Sequence, residues 1–125
     1  MGNHSFRLLH AASGVQIASR AVIAGSLGAR IKGLIGRTRL EPGEALWLEP
    51  CNGIHTFGMR FPLDVLTLDR TLRIVRLYRA VQPNRILLPA RGGYITIEAP
   101  IGTIERCGLR EGDLVVRMPL QSDAR

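Results

Sequence analysis

Apolar and polar positions alternate along most of this chain, at the period of a strand rather than a helix. Residues 6–10 alternate imperfectly and residues 15–23 more regularly, with Ala12-Ser13-Gly14 between them. That pattern predicts a hairpin. Residues 45–49 predict another strand, ended by Pro50. Residues 63–69 are apolar on both faces, the mark of a central strand. Asp69-Arg70-Thr71 then predicts a tight turn into a strand over 72–80. Residues 94–99 and 114–118 predict two more, and residues 119–125 a frayed tail. The stretch from Pro83 to Gly93 reads as a loop crossing, with Ile86-Leu87-Leu88 buried beneath it.

The period changes once. Leu27, Ile31, Leu34 and Ile35 fall at i, i+4, i+7 and i+8, one stripe of a helix. Ser26 is placed to cap its start and Gly36 to stop it. Gly28 and Gly33 inside it each cost about 1 kcal/mol relative to Ala, so this helix depends on tertiary packing. One further helical turn is expected up to Cys107, with Gly108 ending it. Roughly seven or eight short strands at this spacing predict a mainly β fold, a β-sandwich or barrel with one amphipathic helix packed on it. The 125 residues suit one domain, with a core over about 15–118 and flexible ends at 1–5 and 119–125.

Composition narrows the picture further. An apolar share of 46% excludes wholesale disorder. No run approaches the ~18 apolar residues of a membrane helix. The first residues lack the basic flank and long apolar run of a secretory signal. A cytoplasmic protein with no membrane partner is therefore the expectation, its Cys51 and Cys107 reduced and too few for a disulfide framework. The net charge of +7 points toward an acidic partner. All the basic residues except Lys32 are Arg, which codon bias alone would also produce. Arg70, Arg73, Arg76 and Arg79 recur every three residues, so a strand would show them on both faces. Nucleic acid is thus possible as a partner but not favoured, and no Walker, Rossmann or helix-turn-helix pattern is present.

Residues 51–65 concentrate the uncommon side chains. Gly53 and Gly58 bracket a short extended stretch, and Pro62 holds Phe61 extended. The run His55-Thr56-Phe57-Gly58-Met59-Arg60-Phe61-Pro62-Leu63-Asp64-Val65, followed by Leu68-Asp69, resembles the signature of the DUF192 family, also called UPF0127. Gly33-Leu34-Ile35-Gly36-Arg37 resembles that family's helix-end motif, with Ile35 where Met is usual. Glu98-Ala99-Pro100-Ile101-Gly102-Thr103 resembles its Leu-Glu-x-Pro-x-Gly element, with Ile97 in place of Leu, and Gly112-Asp113 also fits. The resemblance covers roughly residues 15–118. It implies a mainly β, jelly-roll-like sandwich with a helix packed on it, and it brings no established activity or catalytic residues.

Three classes of function are compatible with these residues. The favoured one is a β-sandwich that binds a small anionic molecule or peptide. Its candidate site is His55, Thr56, Phe57, Met59, Arg60, Asp64 and Glu98, an apolar wall with a few polar groups. The second is a hydrolase-like enzyme in which His55 works as a base with Asp64 or Glu98, which requires the groups to meet. The third is a nucleic-acid-associated accessory protein. Asp64 shares a strand face with Leu66 and Leu68, so a buried carboxylate paired with Arg60 or His55 is expected. Glu98 shares a face with Tyr94 and Thr96, which predicts a polar outer face. Cys51 and His55 would sit roughly 13 Å apart on a strand, too far to share one metal without a turn. No metal or other cofactor is expected.

Overall fold

The computed structural model describes residues 5–24 and 37–121. The helix expected from Ser26 to Gly36 lies outside them. Seven strands form one curled sheet: β1 (Ser5–His10), β2 (Gln16–Ile23), β3 (Glu44–Leu48), β5 (Leu63–Leu68), β6 (Ile74–Val81), β8 (Ile95–Pro100) and β9 (Val115–Met118). Two shorter strands, β4 (Ile54–His55) and β7 (Ile86–Leu87), pair with each other as a separate ribbon. The helix α1 covers Thr103–Cys107 and ends at Gly108, in the left-handed conformation that favours glycine. The mainly β, single-domain architecture read from the alternation is what the chain adopts, as a half-barrel.

The order across the sheet is β6-β5-β8-β3-β2-β1-β9. The β1–β2 pair is the expected hairpin, with Gly14 at φ 75 in its turn. β5 is central as expected, flanked by β6 and β8 and buried along its whole length. All pairings are antiparallel except β2–β3. At one end the two edge strands approach, where Arg73 bridges Leu114.

Alternation sorts the strand residues into two cores. Leu66, Leu68, Trp47, Ile95, Ile97 and Ile104 belong to the larger one, on the concave face. Each such fully buried side chain contributes about 1.5–3 kcal/mol of transfer free energy. Phe6 packs edge-on against Trp47, ring centroids 5.2 Å apart. Leu63 and Val65, the alternate positions of β5, face the other way. They pack with Leu40, Ile54, Met59, Phe61 and Val81 in a second core, beneath the β4–β7 ribbon.

That ribbon corrects one expectation. Leu87 does pack inward on the second core, opposite Ile54, but Ile86 and Leu88 do not lie beneath a loop. They are 63% and 73% exposed. A two-residue strand still alternates, so its neighbours on either side of Leu87 point outward.

Candidate functional site

The structure distributes the seven residues singled out from sequence over three places. Thr56 and Met59 are buried on the inner side of the ribbon segment. The Thr56 hydroxyl donates to the Gln82 carbonyl at 2.7 Å and accepts the Arg85 N–H at 2.8 Å. Its own N–H reaches the Arg85 carbonyl at 2.8 Å, so Thr56 ties β4 to the chain entering β7. Asn52 does the same one turn earlier, exchanging two 2.8 Å hydrogen bonds with the Ala90 backbone. Gly93 is required beside it, since a Cβ there would collide with the Asn52 side chain. These bonds present His55 and Phe57 on the outside. The two rings stack with centroids 5.0 Å apart, and His55 Nδ1 accepts the Phe57 N–H at 3.3 Å. Arg60 is exposed.

The two carboxylates lie elsewhere and apart. Asp64 stands opposite Ala99, while Val65 stands opposite Glu98. Facing residues on paired strands share a face, so Asp64 and Glu98 project from opposite sides of the sheet. Asp64 is buried on the concave side and pairs with neither Arg60 nor His55. Its oxygens instead accept the Ala80 N–H and the Ile104 N–H, each at 2.9 Å. The second bond caps α1, whose own N-cap residue is Gly102 and has no side chain to do so. Glu98 is on the convex side as alternation predicts, yet it is fully buried, because the second core covers that face. His55 therefore has no orienting carboxylate among the described residues, and the acid–base arrangement proposed from sequence does not assemble. Nor do the described residues hold any group of three or more His, Cys, Asp and Glu placed to bind a metal ion.

A concavity does exist one step further along the chain. Where β5 begins and β8 ends, a groove of about 700 Å³ opens. Phe61 and Pro62 form one wall; Pro100, Ile101, Gly102 and Thr103 form another. Ile17 and Leu40 extend the apolar surface, and Arg39 and Arg106 border it. Arg106 is held in place by donating to the Gln16 carbonyl at 3.0 Å and the Ile17 carbonyl at 2.9 Å. Arg39 pairs with Glu41 at 3.1 Å on the exposed side. No Asp or Glu is among the described lining residues. None of the seven residues picked from sequence lines it either, but these two walls come from two of the segments that carried the resemblance.

A hydrogen-bonded chain unseen in the sequence joins Ser13, His10 and Asp113. His10 Nδ1 lies 2.7 Å from Ser13 Oγ, and Nε2 lies 2.9 Å from Asp113 Oδ2. Asp113 also accepts the Arg110 N–H at 2.9 Å. A carboxylate accepts only, so Nε2 carries a proton toward Asp113. These residues lock the β1–β2 turn to the turn before β9. None of the three lines the groove, and the separation of His10 from Asp113 in sequence hides the link until β1 pairs with β9.

The profile of DUF192, described as an uncharacterized ACR, matches residues 9–117. The chain belongs to the DUF192 family. It is 32% identical over 68 residues to a UPF0127 protein of Thermococcus kodakarensis, covering 54% of this chain and 43% of that protein. It is 36% identical over 62 residues to a UPF0127 protein of Thermococcus gammatolerans, covering 50% of this chain and 40% of that one. The match thus spans less than half the length of either relative. Among solved structures, a putative transcription regulator from Sinorhizobium meliloti superposes with a TM-score of 0.75. The alignment covers 90% of this chain and 92% of that one at 22% identity. A protein of unknown function from Novosphingobium aromaticivorans gives 0.67, over 88% and 91%, at 23% identity. At such identities the likeness shows a shared fold. No helix among the described residues is long and apolar enough to cross a membrane.

Proposed function

We propose that this DUF192 protein is a binding module that takes a small carboxylate-bearing molecule, or the carboxylate end of a peptide, in the groove between Phe61-Pro62 and Pro100–Thr103. One observation carries the reading. The segments distinguished in the sequence, far apart along the chain, form two walls of one apolar concavity bordered by arginine and lined by no described carboxylate. Such a site suits a ligand with an apolar body and one anionic group. Catalysis finds less support, since His55, Asp64 and Glu98 face three different ways. A nucleic-acid partner also finds less support. Arg7 and Arg73 spend guanidinium donors on backbone carbonyls, and Arg70 and Arg117 stack on Tyr94 and Phe6.

Native mass spectrometry of freshly purified protein, with thermal shift against a panel of small carboxylates and short peptides, tests the proposal. Ile101 is 55% exposed at the groove, so Ile101→Trp fills the space without disturbing the core. An anionic adduct or a stabilising carboxylate is expected, with at least about tenfold weaker binding in the variant. No adduct and no stabilisation across the panel, or equal binding by the variant, would overturn it.

A further inference from the structure

The outward side of the β4–β7 ribbon is a second feature, separate from the groove. Ile86 stands directly opposite His55, so their side chains share the outward face. Leu88 follows on the same side by alternation, and Phe57 joins through its stack on His55. Phe57 is 49% exposed, Ile86 63% and Leu88 73%. These are projecting side chains rather than the lining of a recess. Thr56 and Asn52 pin the backbone beneath them, so the display is built rather than frayed.

The two segments that carry this face hold charge of one sign. No Asp or Glu occurs from Pro50 to Leu63, nor from Arg70 to Ile97, the two segments that build the ribbon. Arg60, Arg85 and Arg91 are exposed there, and among the described residues none of them pairs with a carboxylate.

We propose that this face docks onto an anionic lipid surface. The aliphatic and aromatic side chains enter the headgroup boundary while the arginines meet lipid phosphates and carboxylates. Projecting apolar groups on segments whose only charges are cationic suit a surface that yields to them, whereas a folded partner must offer matching recesses. Single-stranded nucleic acid would need flat faces for stacking, and Ile86 and Leu88 supply none. Each arginine near a negatively charged leaflet strengthens attachment, and salt weakens it. The sequence alone suggested no membrane contact, because a peripheral face of this kind has no long apolar run to announce it.

The test is co-sedimentation of the full chain with vesicles. One set is phosphatidylcholine alone; the other also contains phosphatidylserine. Wild type should pellet with the anionic vesicles and remain in solution with the neutral ones, and added salt should release it. The double variant I86S/L88S should lose at least about tenfold in partitioning, as should R60E/R85E. All four positions are solvent-facing, so unchanged near-ultraviolet circular dichroism confirms the fold of both variants. Phe57→Trp adds a reporter whose emission should shift to the blue on anionic vesicles. Wild type that fails to pellet, or variants that pellet equally, would overturn the proposal. Self-association lost in I86S/L88S without vesicle binding, or capture of an acidic peptide by this face in its place, would do so too. The carboxylate panel on I86S/L88S keeps the two sites apart, because groove binding should survive there unchanged.

Discussion

Replacing Asp64 with alanine should remove a large share of this protein's stability without touching the outward ribbon. The buried carboxylate accepts two backbone N–H groups at 2.9 Å, one from Ala80 and one from Ile104. Ala80 has a φ of 51, a conformation alanine rarely holds unaided, and Ile104 lies in the first turn of α1. Hydrogen bonds to a charged acceptor are each worth about 1.5–3 kcal/mol, and each abandoned buried donor costs a further part of about 1–3 kcal/mol. These contributions overlap, so Asp64→Ala should cost about 3–5 kcal/mol, against a total of about 5–15 kcal/mol for a typical domain. Asp64→Asn keeps one accepting oxygen but turns an NH2 toward a donor, and should cost about 2–3 kcal/mol. Urea unfolding followed by Trp47 emission measures both, since Trp47 is the single tryptophan and is buried. A loss below about 1 kcal/mol for the alanine variant would refute the reasoning. A shift in the NMR titration of His55 on Asp64→Asn would likewise refute it, because it would return Asp64 to the role of histidine partner.

Two further outcomes follow from single side chains. Burial pushes the Asp69 carboxyl up, but the Thr71 hydroxyl, the Arg73 and Thr71 N–H groups and the Arg73 charge outweigh it, leaving its pKa below the usual range. A depressed carboxylate contributes stability above its unfolded value of about 3.9, and that contribution is lost as pH falls through the folded value. Thr71→Ala should therefore raise the carbon-13 titration midpoint of Asp69 and the acid-unfolding midpoint together; unchanged midpoints would contradict this. Burial raises the Cys107 thiol pKa, with the Arg106 charge offsetting part of the effect. Iodoacetamide near neutral pH should accordingly alkylate Cys107 at less than about a tenth of the rate of an exposed thiol until urea unfolds the chain, as read by mass spectrometry of the peptide.

The sequence was most legible where one short segment decides the outcome. Alternation located all seven strands of the sheet, and apolar residues on both faces of 63–69 marked the strand buried on both sides. The glycine-ended turn at Cys107 was local in the same way, its stop written in Gly108. Pairing between distant segments left no such trace. The parallel β2–β3 contact, the bond from Asp64 to α1 and the link from His10 to Asp113 all depend on which strands become neighbours. Glu98 shows the limit sharply. Its alternation was read correctly, but what covers the convex face is set by residues some forty positions away in the chain, so exposure could not be inferred. The candidate site shifted for a related reason. The unusual composition of residues 51–65 drew attention to a segment that supplies Phe61 and Pro62 to the groove, while the concavity itself depends on how Phe61-Pro62 meets Pro100–Thr103 across β5 and β8.

The arginine excess divides by the same geometry. An arginine whose donors meet backbone carbonyls or aromatic rings spends its directional bonding on the fold, though its charge remains. Arg73 on the Gly112 carbonyl and Arg117 over Phe6 are of that kind, whereas Arg106 gives only two of its five N–H groups to the Gln16 and Ile17 carbonyls. Arg60, Arg85 and Arg91 have no such partner among the described residues and sit in the two segments without a carboxylate. Net charge treats both groups alike, yet the second has all five guanidinium N–H groups to offer an anion. Neutralising Arg73 should therefore disturb the turn it braces at Gly112, whereas neutralising Arg85 should leave stability nearly unchanged and alter only what the ribbon binds. The functional part of a basic composition is thus the fraction the fold does not use.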